Sequence, residues 1–275
     1  LMEEYNYDAS NVGLVSQRMN VKDFKTITWT NIFKDLTLKE IGADGAMKQG
    51  SVSETEYNFS IDQFAREFSV DRKMIINDDL NALQRVFAGF GRGASVAEQR
   101  DFWTTFVDDG GSFYTASLQT PVLSIDALTT MFTVLRSNTD ENGDPISVTG
   151  TTLIVPPSLE TYANQLAKDL TVNETTAVGK PKPASNPHVG KFSVVVEPYL
   201  NSGNVAGGSS TAFYLQANNR DITSFVNLRL ASQQEPVIRQ EQLGVGKLGI
   251  ATDCVYDFGS SQIDNKGIVK SDGSV

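Results

Sequence analysis

Apolar and polar positions change period several times along the chain. Residues 1–20 are polar and acidic, with apolar side chains too scattered for either a helical or a strand period. An arm of this composition stays ordered only against a surface, supplied by its own domain or by a neighbouring subunit. From 24 to 39 the text is Thr-rich and β-like, with Ile27, Trp29, Ile32, Phe33, Leu36 and Leu38. Residues 42–50, GADGAMKQG, read as loop. Beyond them Tyr57, Phe59 and Ile61 alternate with Asn58, Ser60 and Asp62, and the alternation resumes at Phe68 and Val70 after a break at 63–66. The pattern predicts two strands around a Gly-rich tip. Such a hairpin is marginal alone and needs something to lie on.

Residues 78–107 carry the strongest helical period. Asn77 is the predicted cap, with Asp78 and Asp79 in the first turn, where the helix dipole favours acids. Leu80, Leu83, Phe87, Phe90, Ala94 and Ala97 recur at spacings of three and four and form one seam, and Trp103, Phe106 and Val107 continue it on a shifted face. At ~1.5 Å per residue the helix spans roughly 45 Å, long for a compact domain. Gly89, Gly91 and Gly93 each cost about 1 kcal/mol relative to Ala, which predicts a bend, a break or a close backbone approach.

Ser124 caps a second helix with Ile125, Leu128, Phe132 and Leu135 on one face, and 140–145 is a turn cluster. Leu153, Ile154 and Val155 make a short buried strand. Pro156 and Pro157 lead to Ser158, the predicted cap of a third helix using Leu159, Tyr162, Leu166 and Leu170. A Pro- and Thr-rich loop is predicted over 171–190, then strands at 192–200, 211–217, 222–231 and 248–258. The class is α+β.

Composition narrows what such a fold could do. At ~150 residues per domain, 275 residues make one large domain or two smaller ones, enough to bury a core without staples. The 23 Lys and Arg against 33 Asp and Glu give −10, spread along the chain with no basic patch to recruit nucleic acid. One Cys and one His exclude a disulfide scaffold and most metal sites. No apolar run approaches the ~20 residues of a membrane span. The opening Leu1-Met2-Glu3-Glu4-Tyr5 has neither the basic start nor the apolar stretch of a signal peptide.

No catalytic, cofactor-binding or metal-ligating residue stands out in the chain. Gly89-Phe90-Gly91-Arg92-Gly93 has the spelling of a dinucleotide loop, but that loop must follow a strand and open a helix, and these glycines fall mid-helix. A catalytic triad would have to use His188, the sole imidazole, which reads as an exposed loop residue. The pairs Asp78-Asp79 and Asp140-Glu141 have local explanations, as helix N-terminal charge and as turn chemistry.

Four ordered segments carry a resemblance. Arg72-Lys73-Met74-Ile75-Ile76-Asn77-Asp78-Asp79-Leu80 is followed by Phe90-Gly91-Arg92-Gly93-Ala94 and by the acidic Glu98. Asp140-Glu141-Asn142-Gly143-Asp144-Pro145-Ile146 precedes Leu153-Ile154-Val155-Pro156-Pro157-Ser158-Leu159-Glu160. Tyr256-Asp257-Phe258-Gly259, then Ile263-Asp264 and Gly267, close the series. Over about 55–275 the chain resembles the major capsid (head subunit) proteins of tailed bacteriophages, in the branch that includes Mu-like prophage heads. Gly93 stands where that family more often has Ala, and 171–190 matches none of its segments.

The resemblance implies the Hong Kong-97-type capsid fold: an N-terminal arm (1–32), an extended hairpin loop (33–72), a peripheral domain with a spine helix (73–123), an axial domain (124–234) and return strands of the peripheral domain (235–275). It implies a structural protein, not an enzyme, without cofactors, that assembles into hexamers and pentamers of an icosahedral shell around double-stranded DNA. Its expected partners are itself, a portal, a scaffold or maturation protease, and a cement or decoration protein. DNA is touched only non-specifically, and no membrane is involved. The expected location is the virion, after assembly in the bacterial host cytoplasm.

The expected inter-subunit residues are Gly42, Asp44, Gly45, Met47, Lys48 and Gly50 at the hairpin tip, with the seam Leu80, Leu83, Phe87, Phe90, Ala94 and Ala97 in the spine. Lys48 reads as an exposed solubilising residue rather than one joined covalently to a neighbour. A start at Leu1 is expected from removal of a preceding segment. The alternatives are another phage structural or binding protein of the α+β class, and a carboxylate-dependent soluble enzyme.

Overall fold

The computed structural model describes residues 11–35, 41, 51–77, 80–110, 113–114, 121–140, 143–175, 181–244 and 248–273. In chain order the elements are α1 (Val12–Val15), β1 (Gln17–Val21), β2 (Ile27–Asp35), β3 (Ser51–Phe59), β4 (Asp62–Asp71), α2 (Arg72–Asn77), α3 (Leu80–Val107) and α4 (Ile125–Ser137). There follow β5 (Gly150–Val155), α5 (Glu160–Lys168), β6 (Thr171–Thr175), β7 (Pro181–Ser185), β8 (Ser193–Val196), β9 (Phe213–Ala217), β10 (Phe225–Leu230), β11 (Val237–Gln242), β12 (Gly249–Gln262) and β13 (Ile268–Ser271).

Two sheets enclose the C-terminal half of α3. In the larger, the 14-residue β12 is the axis. It pairs with β4 along one edge and with β11 and then β10 along the other, and β1 adds in parallel to β10. The smaller sheet has the order β13-β9-β5-β8. Strand alternation sends Phe225, Tyr256 and Phe258 of the large sheet, and Ile154, Tyr214 and Ile268 of the small one, into one core with Phe102, Trp103 and Phe106 of α3. Its aromatic rings pack at 4.7–5.0 Å between centroids for Phe106 with Phe225, Tyr214 and Trp103. The opposite face of the small sheet turns Leu153, Val155, Leu215 and Val269 toward α4 and α5. Leu153, Ile154 and Val155 are therefore all buried, as an uninterrupted apolar run in a covered strand requires. Gly150 opens this strand where a Cβ would sit 2.6 Å from the Leu215 side chain.

The arm is more regular than its composition suggests. From Asn11 to Val21 it forms α1 and β1 on its own chain, fixed by Gln216 Nε2 donating to Val15 O at 2.7 Å and Thr223 Oγ1 donating to Gln17 Oε1 at 2.7 Å. Asn11 Nδ2 also donates to the buried Glu197 at 2.9 Å; burial raises that carboxyl above its ordinary value, against the donors from Tyr199 and Asn11. Residues 1–10 lie outside the described residues.

Several element expectations need correction. The hairpin is β2 with β3, from Ile27↔Phe59 to Asp35↔Ser51; the later alternation belongs to β4, a strand of the large sheet that runs through the predicted break. Asn77 is the last residue of α2, Asp78 and Asp79 lie outside the described residues, and α3 is one unbroken helix from Leu80 through its glycines. Ser158 sits in a 3₁₀ turn, its hydroxyl bonded to Ser210 O, and α5 starts at Glu160. Leu170 falls beyond that helix and is exposed. The predicted loop 171–190 holds the β6–β7 ladder. In contrast, Ser124 caps α4 as expected, accepting from Ala127 N at 3.1 Å.

Candidate assembly surface

An uncovered apolar surface lies on one side of α3. From Phe102 onward the helix is sealed between the sheets, but between Gly89 and Arg100 one side of it faces β4 and β12. Between them runs a groove of about 760 Å³, lined by Phe64, Phe68, Gly89, Phe90, Gly93, Ala94, Ala97, Arg100, Tyr256 and Phe258. One wall is unusual for a strand of this length: nine of the ten residues of β4 are exposed, only Val70 being buried. Phe64 and Phe68 stay 38% and 37% exposed although Phe64 stacks on Phe258, ring centroids 4.2 Å apart. Ile250 adds exposed apolar area on the same face of β12. Cys254 also lines the groove, and burial, then Asp253, pushes its thiol above the ordinary value. This surface is too apolar to face water without purpose.

The floor is rigid. Arg229 of β10 forks onto Glu98 of α3, Nη2 lying 2.6 Å from Oε1 and 2.9 Å from Oε2, and Nε 3.0 Å from Oε1. Both side chains are at most 3% exposed. Tyr256 lends its hydroxyl to Glu98 Oε2 at 3.3 Å, and Arg229 Nη1 donates to Gln234 O at 3.2 Å. Further along, Ser260 donates to Asp101, and Gln262 Nε2 donates to Thr105 O at 2.7 Å. Burial raises the Asp101 carboxyl, against the Ser260 hydrogen bond. These contacts lock the helix to β12 at a fixed angle.

The expected site residues distribute unevenly. Phe90, Ala94 and Ala97 line the groove, and Ala94 and Ala97 also pack against the central core. The side chains of Leu80, Leu83 and Phe87 lie outside what is described, as do Gly42, Asp44, Gly45, Met47, Lys48 and Gly50. At its base the hairpin rests on its own chain: Ile27, Trp29, Tyr57 and Phe59 pack over Val226 and Leu228 on the outer face of the large sheet. Gly89 and Gly93 do not mark a close approach, since a Cβ at either would meet nothing within 4 Å. Sequence reasoning missed Phe64, Phe68 and the Glu98–Arg229 pair. It also misplaced His188, which is buried against α4. Among the described residues no cluster of His, Cys, Asp and Glu could hold a metal ion, and no helix is long and apolar enough to cross a membrane.

Comparison with known proteins gives one family. A family model described as phage capsid protein matches residues 54–271. No curated protein sequence matches the chain. In fold it is similar to a chain from Mycobacterium phage Adephagia, at 13% identity and TM-score 0.59, covering 95% of this chain and 89% of that one. It is similar to a chain in the asymmetric unit of the bacteriophage PhiM1 mature capsid, at 12% identity and TM-score 0.59, covering 94% and 85%. A third similar structure is the holo-SrpI encapsulin complex of Synechococcus elongatus PCC 7942, at 10% identity and TM-score 0.55, covering 96% and 86%. At these identities the likeness is one of fold.

Proposed function

The chain belongs to the phage capsid protein family and has the Hong Kong-97-type capsid fold, and from that premise we propose that it is the major head subunit. In this reading it assembles into hexamers and pentamers that tile an icosahedral shell around double-stranded DNA. The observation that carries the reading is the groove along α3: an apolar surface on a rigid floor, with a doubly exposed strand as its wall, suits a neighbouring subunit. Heterologous contacts of this kind close into rings. A subunit in such a lattice buries well over ~2,000 Å² across its neighbours, the range of obligate interfaces.

The parts take the following roles. The β2–β3 hairpin is the extended loop, and its tip at 42–50 reaches a neighbour. α3 with the large sheet forms the peripheral domain, and α4, α5 and the small sheet form the axial domain. Because β10 lies in the large sheet and β13 in the small one, the two domains exchange strands rather than following simple sequence boundaries. Self-association is the principal partnership, with a portal, a scaffold or maturation protease and a decoration protein as further partners. The virion is its location, reached by assembly in the host cytoplasm, and the protein performs no catalysis.

Negative-stain microscopy and sedimentation of the purified chain test this directly. Shells or capsomer rings are the expected result. Particles of one-subunit size at every concentration and ionic strength would overturn it.

A further inference from the structure

His188 is the only imidazole in the chain, and it is 4% exposed in the turn between β7 and β8. Its ring lies nearly parallel to Phe132 of α4, with centroids 5.2 Å apart and planes at 15°. Nε2 stands 2.9 Å from Thr129 Oγ1, and that hydroxyl already donates its hydrogen to Ile125 O at 2.8 Å. Thr129 Oγ1 therefore accepts, Nε2 carries the hydrogen, and Nδ1 is the bare nitrogen of a neutral ring. Nδ1 is buried without a hydrogen-bond partner. Asn186 pins the same turn to the end of α5, donating to Leu166 O at 2.7 Å and Asp169 O at 2.9 Å and accepting from His188 N at 3.0 Å. The ring thus holds the turn to α4, and Asn186 holds the same turn to the end of α5.

The neutral ring fits this place and the protonated ring does not. A second proton would create a buried N–H with no acceptor and a charge in an apolar contact. The charged side chains on the surrounding elements are Asp126 and Arg136 of α4, Glu160 and Lys168 of α5, Asp169 at its end, and Lys191 beside the turn; all are exposed. Burial first, and Lys191 second, hold the imidazole below its ordinary value of 6.5, with the Ile125 carbonyl acting in the opposite sense.

We propose that His188 is a pH-sensitive latch: neutral, it holds the 186–190 turn against α4, and protonated, it releases the turn and loosens the α4–α5 layer. The sign follows from proton linkage. A released ring takes its proton near 6.5 and the latched ring only at lower pH, so in between the open state binds more protons. The latch is therefore fully closed above about 6.5 and weakens as pH falls, about tenfold per pH unit within that window. The device belongs to the single chain and does not depend on what a shell encloses.

Two measurements on the full chain test it. With histidine selectively labelled, the sole imidazole reports its own titration by NMR, and a midpoint below 6.5 is expected. Hydrogen exchange of the turn and α4, corrected for intrinsic rates, is then compared at about pH 7.5 and about pH 5. Opening should rise in the wild type by up to about tenfold for each pH unit by which the measured midpoint falls below 6.5, and stay flat in His188→Gln, whose amide keeps a donor for Thr129 without titrating. A midpoint at or above 6.5, no acid-induced opening in the wild type, or the same opening in His188→Gln would each overturn the latch. If His188→Gln does not fold, the wild-type midpoint and exchange decide the matter.

Discussion

Removing a carboxylate and a guanidinium from water is expensive, and their mutual attraction recovers the cost only when the geometry is good and the remaining lone pairs are satisfied. Glu98 and Arg229 meet that condition, with the fork completed by Tyr256 and Gln234. Against a well-packed apolar pair the net stabilisation is small. What the pair fixes is the placement of α3 on β10, which sets the groove. Arg229→Met should cost about 3–5 kcal/mol in urea unfolding of the subunit, because Glu98 is left buried and unpaired. The double replacement Glu98→Met with Arg229→Met should recover most of that loss. Near-native stability of the single variant would mean that water reaches the carboxylate. No spacing in the sequence pairs an acid in a helix with a base 131 residues later; Arg229 between Leu228 and Leu230 reads as an ordinary strand position. The burial of His188 was equally hidden, since Pro187 beside it signals a loop and the covering comes from α4, some sixty residues away in the chain.

At the level of elements, α3 does two jobs along one helix. Its last turns fill the core with Phe102, Trp103 and Phe106, and the stretch from Gly89 to Ala97 presents small residues to a groove. Gly89 and Gly93 are spaced four apart with open space beyond each, so neither is needed for the fold of the single chain. Gly93→Ala should therefore stabilise the subunit by up to about 1 kcal/mol through helix propensity alone. Gly93→Leu keeps the helix but fills the groove, and it should leave a folded subunit that assembles poorly. Wild-type shell yield from Gly93→Leu, read by sedimentation, would remove the groove from the interface. The helical period of this element and of α4 was legible because each has one buried face over three turns or more. β4 was legible only at Phe68 and Val70, because exposure on both faces lets Phe64 and Arg66 interleave with Ala65 and Glu67 and blurs the alternation before them. The β6–β7 ladder hid behind Pro181 and Pro183, which strand patterns normally exclude except at edges.

For the whole molecule, net charge and apolar burial act on association in opposite senses. Topology at this scale left little trace in the sequence: β1 joins β10 across the length of the chain, and β13 returns to the small sheet, pairings that no local period encodes. Net charge, by contrast, is fully legible. Subunits of −10 repel one another, over a Debye length of about 30 Å at 0.01 M salt and about 8 Å at 0.15 M. Burial of the groove's aromatic residues is not weakened by such salt. Assembly driven by the groove should therefore speed up and reach higher yield as ionic strength rises from about 0.01 to about 0.15 M, followed by light scattering. The same charge keeps the chain from gripping a polyanion, so DNA retention should be weak throughout and lack the steep salt dependence of phosphate-binding proteins. Assembly that instead declines with salt would put complementary ion pairs, rather than Phe64, Phe68 and Phe90, at the centre of the interface.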